Sequence, residues 1–189
     1  PLPQPDADGD KEQRGRVLFI VGSREMPGAL ILAANAALNA GAGKLTVATA
    51  ASVARLVATA LPEARVIELA ETDAGGIDRS AVERVRELLA HVDAVLIGPG
   101  MQDEPAVCDF CAQVLDHPST SVLVLDAAAM GVVLDSAPRV EKFSNATILT
   151  PHAGELAHLT GDDKETICAQ PEQAATIAAQ RWNAVVALK

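Results

Sequence analysis

The sequence predicts an α/β fold in which a mainly parallel sheet is flanked by helices. One observation is a set of short, continuous apolar runs such as Val17-Leu-Phe-Ile-Val21, which are typical of strands buried on both faces. A second is the helical spacing of apolar residues between such runs, as at 82, 85, 88 and 89. A third is that the connections are mostly short. Strands that alternate with amphipathic helices in this way form parallel sheets.

The predicted elements follow one another without an internal repeat or linker, so we expect a flexible leader at residues 1–14 and one domain over 15–189. Pro27 suits the first turn of a helix, Ser52 is predicted to cap the next helix, and Gly41-Ala-Gly43 is typical of a helix C-terminus. The predicted strands are 17–21, 45–48, 65–69, 94–97, 122–125, 146–149 and 184–188. The predicted helices are 28–39, 52–61, 80–90, 105–115, about 127–134, 154–159 and 171–182.

Composition and charge limit the classes of partner. With 189 residues, 49% of them hydrophobic, the chain can form one domain with a sizeable core. Its net charge of −10 repels nucleic-acid backbones and anionic lipid, so neither is expected as a partner. A small anionic ligand remains possible, because helix N-termini and backbone N–H groups bind phosphate without net positive charge.

Cysteine content and hydropathy favour a cytoplasmic protein. Three cysteines, an odd and low number for this length, are typical of a reducing compartment. No apolar run reaches the roughly 20 residues that a membrane helix needs. The chain starts at Pro1 and stops at Lys189, directly after an apolar run, so we expect the native protein to continue beyond Lys189.

The segment Ile148-Leu-Thr-Pro-His-Ala-Gly-Glu155 carries a histidine at the end of a predicted strand. His152 can donate or accept hydrogen bonds near neutral pH, and Glu155 in the first helical turn is favoured by the helix dipole. The segment is equally compatible with a functional site and with a helix cap that includes an incidental histidine.

Other chemically informative residues also follow predicted strands, where ligands of parallel sheets usually bind. Gly98-Pro-Gly100 lets a ligand approach the backbone closely, although by itself it favours a tight turn. Asp126 could contact a ligand or cap the following helix. The lone Cys108-x-x-Cys111 pair lacks a second pair or nearby histidines, so no metal site is predicted.

Taken together in their order along the chain, the strand-end motifs resemble the carbohydrate-kinase-like domain of ADP- or ATP-dependent NAD(P)H-hydrate dehydratases. The resemblance spans residues 15–189 and implies a three-layer ribokinase-like fold whose C-terminal part lies beyond this chain. The similar segments are Gly15-Arg-Val-Leu-Phe-Ile-Val-Gly-Ser23, Met26-Pro-Gly-Ala29 with the helix up to Gly41-Ala-Gly-Lys44, Ile97-Gly-Pro-Gly100, Val124-Leu-Asp126 and Leu149-Thr-Pro-His-Ala-Gly-Glu155.

The resemblance implies a metabolite-repair lyase that dehydrates (6S)-NADHX and (6S)-NADPHX to NADH and NADPH, with ADP or ATP and Mg²⁺ as cofactors. Contacts to the hydrated dinucleotide are implied for Ala29, Gly100 and His152. A lining or supporting role is implied for Gly98, Asp126 and Glu155. Lys189 is similar to the first residue of the family's nucleotide-binding segment, and the family's proposed catalytic Asp would lie beyond it.

Departures from the family pattern keep other functions open. Ala128 stands where the family usually has a second Asp, and the segment that carries the catalytic Asp is absent, so this chain alone is expected to be inactive. A small-molecule kinase of the same superfamily has the same fold. A non-catalytic dinucleotide-binding module is a third possibility. The family also implies a homo-oligomer, often a tetramer.

Overall fold

The computed structural model describes residues 14–134 and 146–189. Within these residues, seven strands form one sheet in which every neighbouring pair is parallel. The strands are β1 (Arg16–Ile20), β2 (Lys44–Ala50), β3 (Arg65–Leu69), β4 (Ala94–Ile97), β5 (Val122–Leu125), β6 (Thr147–Leu149) and β7 (Val185–Val186). Their order across the sheet is β3-β2-β1-β4-β5-β6-β7, so β4 lies at the centre.

Helices connect the successive strands. They are α1 (Pro27–Asn39), α2 (Ala51–Ala60), α3 (Val82–Leu89), α4 (Glu104–Leu115), α5 (Ala153–Thr160), α6 (Lys164–Ala169) and α7 (Pro171–Trp182). Two 3₁₀ turns, Arg79–Ala81 and Ala127–Gly131, precede α3 and follow β5. No helix among these residues is both long and apolar enough to cross a membrane.

The core lies on both faces of the sheet, because side chains alternate along each strand. On β1, Leu18 and Ile20 belong to one buried apolar cluster, whereas Phe19, and Val21 just after the strand, belong to another. This two-sided burial explains the continuous apolar runs in the sequence.

The strand register brings the carboxyl ends of the central strands to one line. Ile20 of β1 pairs with Ile97 of β4, which pairs with Leu125 of β5, which pairs with Leu149 of β6. The loops that follow these strands therefore meet at one edge, where parallel sheets bind ligands.

The predicted α/β fold is confirmed, and β3, β4 and β5 have the predicted bounds. Gly41, with φ +99°, terminates α1 as predicted. Its N–H donates to Leu38 O (3.0 Å), and the next N–H, of Ala42, donates to Ala37 O (3.0 Å). This is the Schellman arrangement of a helix C-terminus.

Several predicted elements differ in the structure. Ser52 does not cap α2, because the helix already begins at Ala51 after the N-cap residue Ala50. Helix α6 was not predicted, β7 is shorter than 184–188, and the segment after Asp126 begins as a 3₁₀ turn. The expected leader lies outside the described residues except for residue 14.

Truncating a fully buried core residue should destabilise the protein far more than truncating an exposed one. Phe110 has no exposed surface, so Phe110→Ala should lower the free energy of unfolding by about 3–5 kcal/mol. Ile177 is 54% exposed, and Ile177→Ala should change it by less than about 0.5 kcal/mol. Urea denaturation measures both; similar losses in the two variants would contradict the assignment of the core.

Candidate functional site at the carboxyl edge of the sheet

The first glycine after β4 allows the loop after β5 to close over it. Gly98 has φ +129°, and a Cβ added to it would lie 1.8 Å from the carbonyl oxygen of Asp126. No side chain fits at that distance. Gly98 and Asp126, both predicted site residues, are therefore in direct contact.

The second glycine after β4 allows the loop after β1 to approach closely, because it has no side chain. A Cβ added to Gly100 would lie 2.6 Å from Met26 O and 3.1 Å from the Cβ of Ala29. The two loops are also joined by a hydrogen bond from Gly22 N–H to Pro99 O (2.8 Å). The predicted site residues Ala29 and Gly100 thus form one continuous surface. The tight turn predicted for Gly98-Pro-Gly100 is also present.

Asp126 is held by two donors at the end of β5. Its Oδ1 accepts hydrogen bonds from Thr150 Oγ1 and Lys189 Nζ, both at 2.7 Å. The side chain makes no capping hydrogen bond, although Asp126 is the N-cap residue of the 3₁₀ turn. Capping by its carboxylate, one of the two alternatives, is therefore wrong. Thr150 and Lys189 are 24 and 63 positions away from Asp126, so no local pattern indicated them as its partners.

His152 and Glu155 form a capping box at the start of α5. The Nδ1 atom of His152 accepts from the N–H groups of Gly154 (3.0 Å) and Glu155 (3.1 Å). In return, Glu155 Oε2 accepts from the N–H of His152 (2.8 Å). The capping interpretation is confirmed, and a contact with ligand stays a prediction. The His152 side chain is 60% exposed, and its Nε2 lies 3.7 Å from Glu155 Oε2.

A cavity of about 380 Å³ lies beside His152. Ala128 forms part of its wall, so the departure from the family's Asp leaves a methyl group there. Further titratable side chains in the lining come from α4 and α5, and the sequence analysis did not single them out. These are Glu104 and His158, beside Glu155.

A polar chain links the loop after β1 to the loop after β4. Ser23, which is fully buried, donates to Gln102 Oε1 (2.7 Å), and Gln102 Nε2 donates to Glu25 Oε2 (3.0 Å). These partners are 77 or more positions apart in sequence, so no local motif could have indicated them.

A second polar group lies beside the first loop. Arg24 forms an ion pair with Glu71 Oε1, and the backbone N–H of Ser52 donates to Glu71 Oε2 (3.1 Å). The Arg24 guanidinium, helped by Ser52, lowers the pKa of Glu71 from 4.5 to about 2. Glu71 is therefore ionised throughout the physiological range.

The described residues offer little for metal or thiol chemistry. Among residues 14–134 and 146–189, no group of three or more His, Cys, Asp or Glu side chains is placed to hold a metal ion. Cys111 is a fully buried cysteine. Burial raises the pKa of the Cys111 thiol, which makes it a poor nucleophile.

The capping role of His152 predicts a difference between two substitutions. His152→Ala should lower the free energy of unfolding by about 1 kcal/mol, because two backbone N–H groups lose their acceptor. His152→Asn should retain most of the stability, since asparagine is a preferred N-cap residue. Urea denaturation compares them, and equal losses would contradict the capping role.

The lowered pKa of Glu71 predicts a pH-dependent contribution to stability. Because the pKa is lower in the folded state, the ion pair stabilises the fold fully above about pH 4.5 and loses this effect as the pH falls toward 2. Glu71→Gln should therefore destabilise by about 1 kcal/mol at neutral pH and by almost nothing near pH 2. Denaturation across this range measures the difference. Glu87→Gln, in an exposed pair with Arg84, is the control and should have little effect.

Comparisons with known proteins show the family to which the chain belongs. The carbohydrate-kinase-type family model described as NAD(P)H-hydrate dehydratase matches residues 17–189. The ADP-dependent (S)-NAD(P)H-hydrate dehydratase of Xanthomonas campestris is 46% identical over 189 residues, which cover 100% of this chain and 62% of that protein. The chain thus spans about three fifths of the length of this curated relative.

Solved structures show the same fold. The ADP/ATP-dependent NAD(P)H-hydrate dehydratase of Bacillus subtilis, co-crystallised with ATP/Mg²⁺, matches with a TM-score of 0.80 and 29% identity, covering 100% of this chain and 62% of that one. A ribokinase-like superfamily protein of Enterococcus faecalis matches with a TM-score of 0.72 and 23% identity, over 98% of this chain and 61% of its own, which supports the fold alone. Since the family model covers nearly the whole chain, the protein belongs to the NAD(P)H-hydrate dehydratase family and has its ribokinase-like fold.

Proposed function

We propose that this chain is the larger part of an enzyme that dehydrates (6S)-NADHX and (6S)-NADPHX to NADH and NADPH, coupled to hydrolysis of ADP or ATP. The observation that carries the proposal is the family match over residues 17–189. In the proposed chemistry the ring hydroxyl is phosphorylated and the phosphate is then eliminated. A kinase-type fold suits this sequence, because backbone dipoles can stabilise phosphoryl charge.

The surface formed by Ala29 and Gly100 is proposed to contact the hydrated dinucleotide, together with His152. Gly98 supports this surface through its close approach to Asp126, and Glu155 supports it through the cap that orients His152. Gly98 and Glu155 both act by positioning the backbone. Backbone N–H groups can bind an anionic ligand despite the acidic composition of the chain.

Lys189 is proposed to contact the nucleotide. Its ammonium is about half exposed and is held by Asp126, while its backbone N–H donates to Pro151 O (2.9 Å). These contacts place a positive charge at the carboxyl edge of the sheet, next to the loop that carries Asp126. The proposed catalytic Asp belongs to the segment that follows Lys189 in the family.

The family resemblance implies Mg²⁺ as a cofactor, but the described residues do not form a site for it. Mg²⁺ in nucleotide enzymes is held by phosphates and one or two carboxylates. The Oδ1 atom of Asp126 is already bonded to Thr150 and Lys189, and no suitable cluster occurs among the described residues. We therefore derive no step through the metal.

We also propose a cytoplasmic homo-oligomer, with a tetramer as the expected form. Exposed apolar side chains on neighbouring helices support self-association: Leu32 on α1 is 74% exposed, and Leu56 on α2 is 58% exposed. Such residues are often buried between subunits. The odd and low number of cysteines supports a reducing compartment.

The activity can be tested on the full-length protein. Incubation with hydrated NADH, Mg²⁺ and either ADP or ATP should regenerate the absorbance of NADH. Isolation of a stable phosphorylated product would instead identify a small-molecule kinase. Absence of recovery with both nucleotides would rule out the proposed dehydratase.

The proposed role of His152 predicts selective loss of dinucleotide binding. His152→Asn should keep the helix cap but remove the ring nitrogen Nε2, and should weaken binding of the hydrated dinucleotide by about tenfold, as expected for one lost hydrogen bond of about 1.4 kcal/mol. Nucleotide binding should change less than twofold. Calorimetry with each ligand measures this, and His91→Asn on an exposed residue is the matched control. Equal weakening of both ligands would contradict the assigned role.

A further inference from the structure

The segment between β3 and the first 3₁₀ turn forms a short hairpin that covers the carboxyl edge of the sheet. Glu71 and Ile77 form an antiparallel bridge, and Asp78 N–H donates to Ala70 O (2.8 Å). At the tip, Thr72 N–H donates to Gly76 O (2.9 Å). We call residues 70–78 the 70–78 hairpin.

The tip of the 70–78 hairpin reaches past β2 to the loops after β1 and β4. Gly75 accepts through its carbonyl from Arg24 N–H (3.2 Å). A Cβ added to Gly75 would lie 2.8 Å from the Cβ of Arg24, and one added to Gly76 would lie 2.6 Å from Gln102 O. Gly75 and Gly76 are both buried. The tip is thus packed between two loops that follow non-adjacent parts of the sequence.

Polar groups attach the 70–78 hairpin to both loops. On one side, Arg24 bonds to the Glu71 carboxylate and donates to Asp73 O (3.1 Å). On the other side, Thr72 Oγ1 donates to Asp103 Oδ2 (3.0 Å). The hairpin therefore connects the loop after β1 to the loop after β4.

The Ala29–Gly100 surface lies where these loops meet, since Ala29 is in the first turn of α1, directly after the loop that follows β1, and Gly100 is in the loop after β4. Gly22 and Pro99 already join the two loops through their backbones, and Ser23 and Gln102 join them through side chains. The hairpin adds a further connection. The surface keeps its shape only while the spacing of the two loops is fixed, and a further connection removes loop motion that ligand binding would otherwise have to restrict.

We propose that the 70–78 hairpin is a brace for the dinucleotide side of the site, and that Arg24 and Glu71 are positioning residues acting through it. The inference rests on the proposed function, since it assigns the Ala29–Gly100 surface to the hydrated dinucleotide. The brace fixes the spacing of the two loops, so it sets affinity for that ligand and leaves the chemical step and the nucleotide unaffected.

The test uses the full-length protein with Arg24→Gln, Glu71→Gln and the double variant. Each should raise the KM for hydrated NADH by about tenfold, the scale expected when binding groups lose preorganisation. The kcat and the KM for the nucleotide should stay within about twofold. The KM of the double variant for hydrated NADH should be no higher than that of the more impaired single variant, because both changes break the same ion pair. Arg84→Gln, in the exposed ion pair with Glu87, is the control.

Hydrogen exchange supplies a readout that does not depend on activity. In Arg24→Gln and Glu71→Gln, amide exchange should accelerate in residues 22–26 and 98–103 but not in α5. Unchanged exchange in both loops, or an unchanged KM for hydrated NADH in folded variants, would overturn the brace. A fall in kcat alone would also overturn it. If the wild-type protein regenerates no NADH, the proposed function fails and exchange alone decides whether the hairpin braces the loops.

Discussion

The arrangement at the carboxyl edge depends on the absence of side chains at two positions after β4. β4 lies between β1 and β5, so the loops after all three strands converge on its end. Asp126 O occupies the space of a side chain at Gly98, and Met26 O occupies the space of one at Gly100. Any larger residue would push a neighbouring loop away. The positions of Ala29 and Asp126 both depend on this close approach.

Pairing of acidic groups reconciles the acidic chain with the proposed anionic ligand. The net charge is −10, yet two carboxylates at this edge are paired with basic side chains. Asp126 is bonded to Lys189 and Glu71 to Arg24, while Glu155 accepts a hydrogen bond from the backbone N–H of His152. Much of the surface at this edge of the sheet is therefore formed by glycine-rich backbone and not by a patch of basic side chains. Such a site can accept phosphates while the rest of the protein remains acidic.

The sequence predicted those features that depend on local patterns. Buried runs such as 94–97 and 122–125 gave correct strand bounds, because a strand covered on both faces is apolar throughout. Helix α6 was not predicted from the sequence, because it has only six residues and only one of them, Ile167, is buried. Glycine at 98 and 100 indicated a turn, but not which loops would close over it.

Contacts between distant residues could not be predicted in this way. Arg24 and Glu71 are 47 positions apart, and Asp126 and Lys189 are 63 apart. Neither pair belongs to a motif, and each forms only because the sheet order brings separate strand ends together. The family resemblance named Asp126 and Lys189 separately, whereas the fold shows that they bind each other.

The helix cap uses one ring nitrogen of His152 and leaves the other for the proposed contact with a ligand. A neutral imidazole carries one ring proton. Because Nδ1 accepts from two backbone N–H groups, that proton is on Nε2. With the cap intact, Nε2 can only donate, and a ligand atom that it contacts must be an acceptor such as a phosphate or hydroxyl oxygen. The helix cap thus determines the hydrogen-bonding character of the exposed ring nitrogen.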